Sequence, residues 1–475
     1  MIPRLKLLSS EACANLHQQS LDLLERVGIR YDSRAALDLL AQAGCQIDDQ
    51  ARTARIPPQV VESCLRTTPR EVAIAGRNTR HDFALAEGLP FRVVLSSQGQ
   101  RAIDLDSGVE RPSTAEDLRQ AARLADALDQ VDMLNEIVNT NDRDLSTAAN
   151  FNRADLFANT SKHVRVMPES EPEAQALLEM GVAIQGSAQA LAERPLFSAL
   201  VCTVSPLAHH APVVEAGIVL AKAGIPLCIY SMPLAGATGP VTLAGITLLN
   251  NIENLSQVVL YQTVHPGVPL IYGAGASFID MRTGAYRSGT PQDPLIGLAL
   301  YDLARWYGMP VNGGGFGTSA RHLGLQAYAN GARSAIVCAL SQPDEFYGCG
   351  LLDSAQTLSF EKLFMDAEVV RGIRRVVAGA PVTEESLMAE VIRRVGFEGS
   401  FLSEIETRDN LRSNPPFFPK VGAYGSYDAW LESGELEYEQ AAELVRNILA
   451  THEPEPLPEG VVDELHRIAA AYVIP

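Results

Sequence analysis

Val268-Pro-Leu-Ile-Tyr-Gly-Ala-Gly-Ala-Ser-Phe-Ile-Asp280 is followed by Met309-Pro-Val-Asn-Gly-Gly-Gly-Phe-Gly317 and by Tyr347-Gly-Cys-Gly-Leu-Leu-Asp353. Each segment begins as a short apolar run and ends in glycines and small polar residues. Buried parallel strands that deliver their C-terminal ends to a ligand have this pattern. Further candidates of the same kind lie upstream at 131–139, 164–167, 196–202 and 225–230, and the apolar runs 335–339 and 348–352 complete eight. Stretches of Ala and Leu with helical character fill the gaps at 171–192, 208–223, 240–264 and 292–307. Eight parallel strands with crossover helices over about 250 residues predict an α/β fold, a TIM (β/α)8 barrel. An open doubly wound sheet is the alternative, because the interval 340–347 is shorter than a normal crossover.

The flanks look different. Within 9–66 three helices are predicted: one opened by Ser10-Glu11 and stopped by Gly28, one capped by Ser33 and ended by Gly44, and one begun by Pro57-Pro58. Residues 70–111 break into short strand-like pieces, among them Phe91-Arg-Val-Val-Leu. Ser113-Thr-Ala-Glu116 has the form of a capping box for the next helix. After Phe360 a charged amphipathic helix runs to Val377 and another from Thr383 to Gly396. Asn414-Pro-Pro-Phe-Phe-Pro419 interrupts them, and polar helices return at 427–450 and 459–473. The expected organisation is an N-terminal helical and β module (1–112), a barrel (113–380) and a C-terminal helical extension (381–475).

Composition narrows the function classes. The chain has 475 residues, 47% apolar and 20% charged, as in an ordinary globular enzyme. A formal net charge of −19 argues against nucleic acid, which needs clustered Lys and Arg. Seven scattered cysteines with no Cys-x-x-Cys spacing argue against a zinc site or disulfide framework and for a reducing cytoplasm. The opening residues form too short an apolar core for a signal peptide, and no window is apolar enough to span a membrane.

Few side chains declare a chemistry. His209 and His210 are adjacent and would point apart on a helix. Lys162-His163 precedes its strand and so falls at the rim away from a barrel's active face. Gly313, Gly314 and Gly315 lack phosphate-loop spacing and fit a loop that lets a ligand approach the backbone. Ser205 and Met232 follow strands at the ligand-facing rim. Tyr230, Tyr272, Phe278, Phe316 and Tyr347 recur at strand ends; they are either core filling or a cage for a quaternary ammonium through cation–π attraction. Asp280, Asp293, Asp353 and Glu361 are acidic candidates for the same mouth, with helix capping the alternative for Asp293 and a solvated face that for Glu361. Asn250, Glu253, Asn254 and Gln257 form one polar stripe on helix 240–264, expected to face solvent or, alternatively, another copy in a homo-oligomer.

Several separated motifs then converge. The run Pro233-Leu-Ala-Gly-Ala-Thr-Gly-Pro-Val-Thr-Leu-Ala-Gly245 resembles the trimethylamine methyltransferase family, as do Pro266-Gly-Val-Pro-Leu-Ile-Tyr-Gly273 and Asp280-Met-Arg-Thr-Gly284. Ala304-Arg-Trp-Tyr-Gly-Met-Pro310, Gly350-Leu-Leu-Asp353 with Ser359-Phe-Glu361, and Met365-Asp366 extend the resemblance over nearly the whole chain. It implies a TIM barrel that moves a methyl group from a methylated amine to the Co(I) of a corrinoid. The corrinoid (cobalamin) is carried by a partner protein, and no cofactor is bound by this chain itself. Only the twenty standard residues occur, which places the chain with the branch that lacks pyrrolysine and implies a quaternary amine such as a betaine. On this resemblance Ser205, Met232, Gly313, Gly314, Gly315 and Gly350 would face the corrinoid, and the aromatic and acidic set would hold the amine.

Three departures accompany it. Where the family has Lys-x-x-Asp-x-Gln, this chain has Arg321, Gly324 and Gln326, keeping only the glutamine, a further candidate for the substrate site. A Glu usual near Pro291 is replaced by Gln292-Asp293, and a His-Thr-Leu run by Ser403-Glu-Ile-Glu-Thr-Arg408. A lyase, or a barrel that only binds its ligand, is the alternative function; a filled mouth would mark the latter.

Overall fold

The computed structural model describes residues 4–413, 415–422, 425–433 and 437–473. Eight parallel strands close into a barrel in simple sequence order: β1 (Arg92–Leu95), β2 (Met133–Asn135), β3 (His163–Val166), β4 (Phe197–Cys202), β5 (Leu227–Tyr230), β6 (Leu270–Gly273), β7 (Val311–Gly314) and β8 (Glu345–Cys349). Each is followed by its helix: α1 (Ala115–Ala127), α2 (Leu145–Ala158), α3 (Glu171–Gln185), α4 (Ala211–Lys222), α5 (Leu243–Val264), α6 (Gln292–Tyr307), α7 (Leu325–Leu340) and α8 (Phe360–Ala378). The chain is a (β/α)8 barrel.

Three strand assignments are corrected. The run 348–352 divides between the end of β8, which starts at Glu345, and Leu351–Leu352, which belongs to a separate sheet. Ala335–Ala339 belongs to α7, and the missing strand is Arg92–Leu95, which pairs with β8 on one side and β2 on the other. The first barrel strand therefore lies before residue 113. A short apolar run does not separate a buried strand from the core face of a helix. The helix expected from 208 starts at Ala211, because Ala208–His209 pairs as a strand with Arg30 and Tyr31. The capping box sits one residue later than expected, on Thr114 and Asp117. The helix expected over 383–396 breaks at Met388, whose φ is +50°. Of the interrupting loop, Asn414 lies outside the described residues, as do 434–436 within the stretch read as one helix from 427.

The barrel is stoppered at its N-terminal end. The hairpin Val72–Ile74/Phe83–Leu85 sends Val72, Ile74 and Leu85 into the same buried cluster as Val94, Met133, Cys228 and Ile271 from the strands. Above that stopper the lumen carries a polar layer: Arg165, Glu345, Asn312, Ser198 and His163. The C-terminal end is left to the βα connections. Those after β5 and β6 form a three-stranded sheet (234–235, 277–279, 286–287), and those after β1 and β8 a four-stranded one (101–103, 110–112, 351–352, 357–358). The three N-terminal helices pack on α5, which leaves that helix buried on nearly every side.

Candidate active site

Between these two small sheets lies a chamber of about 470 Å³ at the C-terminal mouth, lined from the ends of β1, β3, β4, β5, β6, β7 and β8 and by residues of α6 and α7. The mouth of the barrel is thus open, unlike the filled mouth expected of a relative that has lost its chemistry. Four tyrosines line it: Tyr230, Tyr286, Tyr301 and Tyr347. Tyr347 and Ser97 share a hydrogen bond of 2.8 Å between their hydroxyls. Burial raises all four phenol pKa values, that of Tyr286 to about 12, so the phenols stay protonated at neutral pH. Burial likewise pushes the Cys338 thiol up to about 12. Neither phenolate nor thiolate is available at neutral pH as a nucleophile.

Strand register decides which predicted residues reach the chamber. Gly314 is paired with Tyr347, and both face the lumen; Gly313 is paired with Phe346, and both face the helices. A Cβ on Gly313 would collide with Tyr301, and one on Gly315 with the Phe346 ring. These two glycines make room for the protein's own rings, whereas a Cβ on Gly314 would meet nothing within 4 Å. Among the chamber's glycines, Gly314 alone is absent of a Cβ for the sake of the space.

Of the aromatic set, Tyr230 and Tyr347 line the chamber. Tyr272 does not. It shares the outward face of Ile229 and donates its hydroxyl to Asn251 Oδ1 at 3.0 Å. Phe316 is buried edge-on against Phe346, and Phe278 packs on the outer core. Of the acidic set Asp293 alone reaches the chamber; its Oδ1 accepts from Ser277 Oγ at 3.0 Å and its Oδ2 from the Thr290 N–H at 2.8 Å. Burial raises its pKa. Asp280 closes a turn on Arg282, Asp353 pairs with Arg101 at 2.8 Å, Glu361 accepts from Ser359, and Gln326 is exposed at the start of α7. Arg321 and Gly324 likewise stand outside the chamber.

Met232, Gly314 and Gly315 are on the chamber wall. Ser205 instead donates to Glu253, and Gly350 donates its N–H to Asp366 at 2.9 Å. Lys162 is buried beneath the barrel and spends its three N–H bonds on the carbonyls of Ala125, Leu128 and Val131, each at 2.8 Å.

The polar stripe of α5 is the largest correction. Asn250, Glu253, Asn254 and Gln257 face neither solvent nor a partner; all are buried against the strand ends. Asn254 donates to the Gly273 carbonyl at 2.8 Å, where the strand ladder has ended and the carbonyl needs a donor. Sequence reasoning missed Tyr286, Tyr301, Ser97 and Ser334. Tyr286 sits two residues past the motif that ends at Gly284, and Tyr301 lies inside the helical stretch 292–307. Among the described residues no cluster of three or more His, Cys, Asp or Glu could hold a metal ion, and no helix is long and apolar enough to cross a membrane.

Fold and chamber define a (β/α)8 barrel with a cavity in its C-terminal mouth. The sequence pattern of the family described as trimethylamine methyltransferase (MTTB) matches residues 1–472, and the chain belongs to that family. Trimethylamine methyltransferase MttB of Desulfitobacterium hafniense (strain DSM 10664 / DCB-2) is 32% identical over 464 residues, covering 97% of this chain and 92% of that protein. Glycine betaine methyltransferase of D. hafniense (strain Y51) is 26% identical over 474 residues, covering 99% and 98%. Among solved structures, the monomethylamine methyltransferase of Methanosarcina barkeri aligns with a TM-score of 0.46 at 12% identity, covering 92% of each chain. The chain is a methyltransferase.

Proposed function

We propose that the chain holds a methylated amine, quaternary by preference, in the tyrosine chamber and passes one methyl group to the Co(I) of a corrinoid carried by a partner protein. The observation that carries this reading is the chamber itself, whose four neutral tyrosine rings surround space that Gly314 leaves open. A cation over such ring faces needs no proton and no counter-charge on the ligand's methyl side.

The corrinoid is a substrate here, and its cobalt supplies the electron pair that takes the methyl group. The chain's own part is to bind, orient and keep water out. A quaternary nitrogen leaves as a neutral amine once its N–CH3 bond breaks, so a general acid has nothing to do. That agrees with a wall of protonated phenols and one carboxylate. The approach of a partner is supported by apolar side chains exposed on successive mouth loops: Val204 after β4, Met232 and Val241 after β5, and Met281 after β6. Exposed apolar groups gathered at one face mark association surfaces.

The test mixes the purified protein with a Co(I) corrinoid on a competent carrier and adds methylated amines one at a time. Loss of the Co(I) spectrum with formation of methyl-cobalt product is expected for at least one amine. An unchanged spectrum with every amine overturns the reading.

A further inference from the structure

We propose that the chamber takes a methylated ammonium ion that bears no carboxylate, and that Asp293 is the residue that sets this preference. The inference rests on the methyltransferase reading and narrows its substrate class.

Among the described residues that line the chamber, Asp293 is the sole charged side chain. It is the second residue of α6, and the bonds from Ser277 Oγ and the Thr290 N–H fix its carboxylate at the wall. No Lys, Arg or His joins it there. The guanidinium groups on the neighbouring loops are engaged elsewhere, Arg282 and Arg287 with Asp280 and Arg101 with Asp353. A cationic ligand therefore finds one carboxylate and a wall that includes four neutral tyrosines, and leaves the chamber neutral. A zwitterionic ligand would gain the same contacts for its ammonium end. Its own carboxylate would then share about 470 Å³ with Asp293 and find only hydroxyls, amides and backbone N–H groups. Like charges in one low-dielectric site disfavour each other, and such a clash is how a site rejects a near relative of its ligand.

A second observation points to a ligand at the same wall. The hydroxyl of Ser334, on α7, is buried at the chamber without a hydrogen-bond partner among the described residues. Buried hydroxyls normally have one, and an oxygen on the ligand's uncharged arm would supply it. Choline has that composition: a trimethylammonium group, a short arm and a hydroxyl.

Calorimetric titration of the chain alone, without corrinoid, tests the inference. Tetramethylammonium and choline are expected to bind at least tenfold more tightly than glycine betaine. Asp293→Asn should cut the affinity for tetramethylammonium at least tenfold and erase the preference, with circular dichroism confirming the fold. Gln356→Arg, at an exposed position of the lining, adds the missing cation without touching Asp293; it should raise affinity for glycine betaine at least threefold and lower that for tetramethylammonium. Glycine betaine binding as tightly as choline to the unaltered chain overturns the inference, as does no binding of any of the three at millimolar concentration. If the binding preference holds while Co(I) remains unmethylated, the transfer reading fails and the preference stands. If glycine betaine wins in binding and is demethylated, only the preference fails.

Discussion

Arg165 reaches across the lumen of the barrel and grips Glu345 with both terminal nitrogens, at 2.5 and 2.6 Å, with neither side chain in contact with water. The pair joins β3 to β8 through the interior, beneath the chamber. Asn312 adds a third donor to Glu345 at 2.8 Å, and Arg165 also donates to Ser198 at 3.1 Å. Desolvating two charges is offset only by such complete pairing, so removing one partner leaves a bare charge in the core. Arg165→Met is expected to cost about 3–5 kcal/mol, while Arg165→Met with Glu345→Leu should recover most of it. Denaturant midpoints of the two variants check this.

Gly314 makes a contrasting prediction. Its Cβ would enter empty space, so Gly314→Ala should leave the denaturation midpoint within about 0.5 kcal/mol of the parent. Gly314→Leu should fill the ligand's place and raise KM at least tenfold with little loss of stability. At Gly313 the order reverses, because its Cβ would strike Tyr301, and Gly313→Ala should destabilise first. Thermal melts alongside methyl-transfer kinetics separate the two positions.

How far the molecule was legible beforehand follows from these same residues. Six of the eight strands and the helices after β3, β5 and β6 stand where apolar runs and glycine stops place them. Arg92–Leu95 was recognised as a strand but not as a barrel strand, because the excursion 101–112 separates it from α1. The aromatics at strand ends had two readings, core filling or a cage at the mouth, and the set divides between them: Tyr230 and Tyr347 line the chamber, while Tyr272, Phe278 and Phe316 pack elsewhere. Which tyrosines could not be read. Tyr272 pairs with Ile229 and not with Tyr230, and that register depends on neighbouring strands that a single strand's pattern does not contain. Helix α5 misled for a related reason. Its polar stripe resembles a wetted face, but its three amides donate to carbonyls at the ends of β5 and β6 while Glu253 accepts from the loops after β4 and β5, a role recognisable only once the N-terminal helices cover the other side.

Two buried histidines make the fold sensitive to acid. Burial lowers His163 and His209 from an ordinary 6.5 to about 3. Above pH 6.5 both are neutral in the folded and unfolded chains and contribute nothing to the pH dependence. Below it the unfolded chain takes up protons that the native one refuses, so stability falls as pH falls from 6.5 towards 3. Each histidine contributes about 1.4 kcal/mol per pH unit in that window. Buried carboxylates raised by burial, Glu136, Asp293, Asp344 and Asp366, protonate first in the native state and act in the opposite sense. The comparison with His163→Gln isolates one histidine: the variant's stability should fall less steeply by about 1.4 kcal/mol per unit between pH 6 and 4. Equal slopes for the two proteins would count against a neutral, buried His163.

Glu253 ties the mouth loops to the helix layer. Its Oε2 accepts from Thr203 Oγ1 at 2.7 Å, Ser205 Oγ at 2.7 Å and Ser231 Oγ at 2.6 Å, and its Oε1 from the Leu207 N–H at 2.9 Å. Those four donors come from the connections after β4 and β5, and Met232, next to Ser231, is part of the chamber wall. A glutamine in its place turns one acceptor oxygen into an amide with two N–H groups, so either the Leu207 N–H or the three hydroxyls lose their acceptor. Hydrogen bonds to a charged group contribute about 1.5–3 kcal/mol each, so Glu253→Gln should cost about 3 kcal/mol, and Thr203→Val, which removes one donor and leaves the carboxylate satisfied by three, about 1.5 kcal/mol. Because Glu253 touches only the loops, its loss should raise KM for the amine more than it lowers kcat. A variant with unchanged KM and a normal melting curve would show that the loops after β4 and β5 hold their places without it.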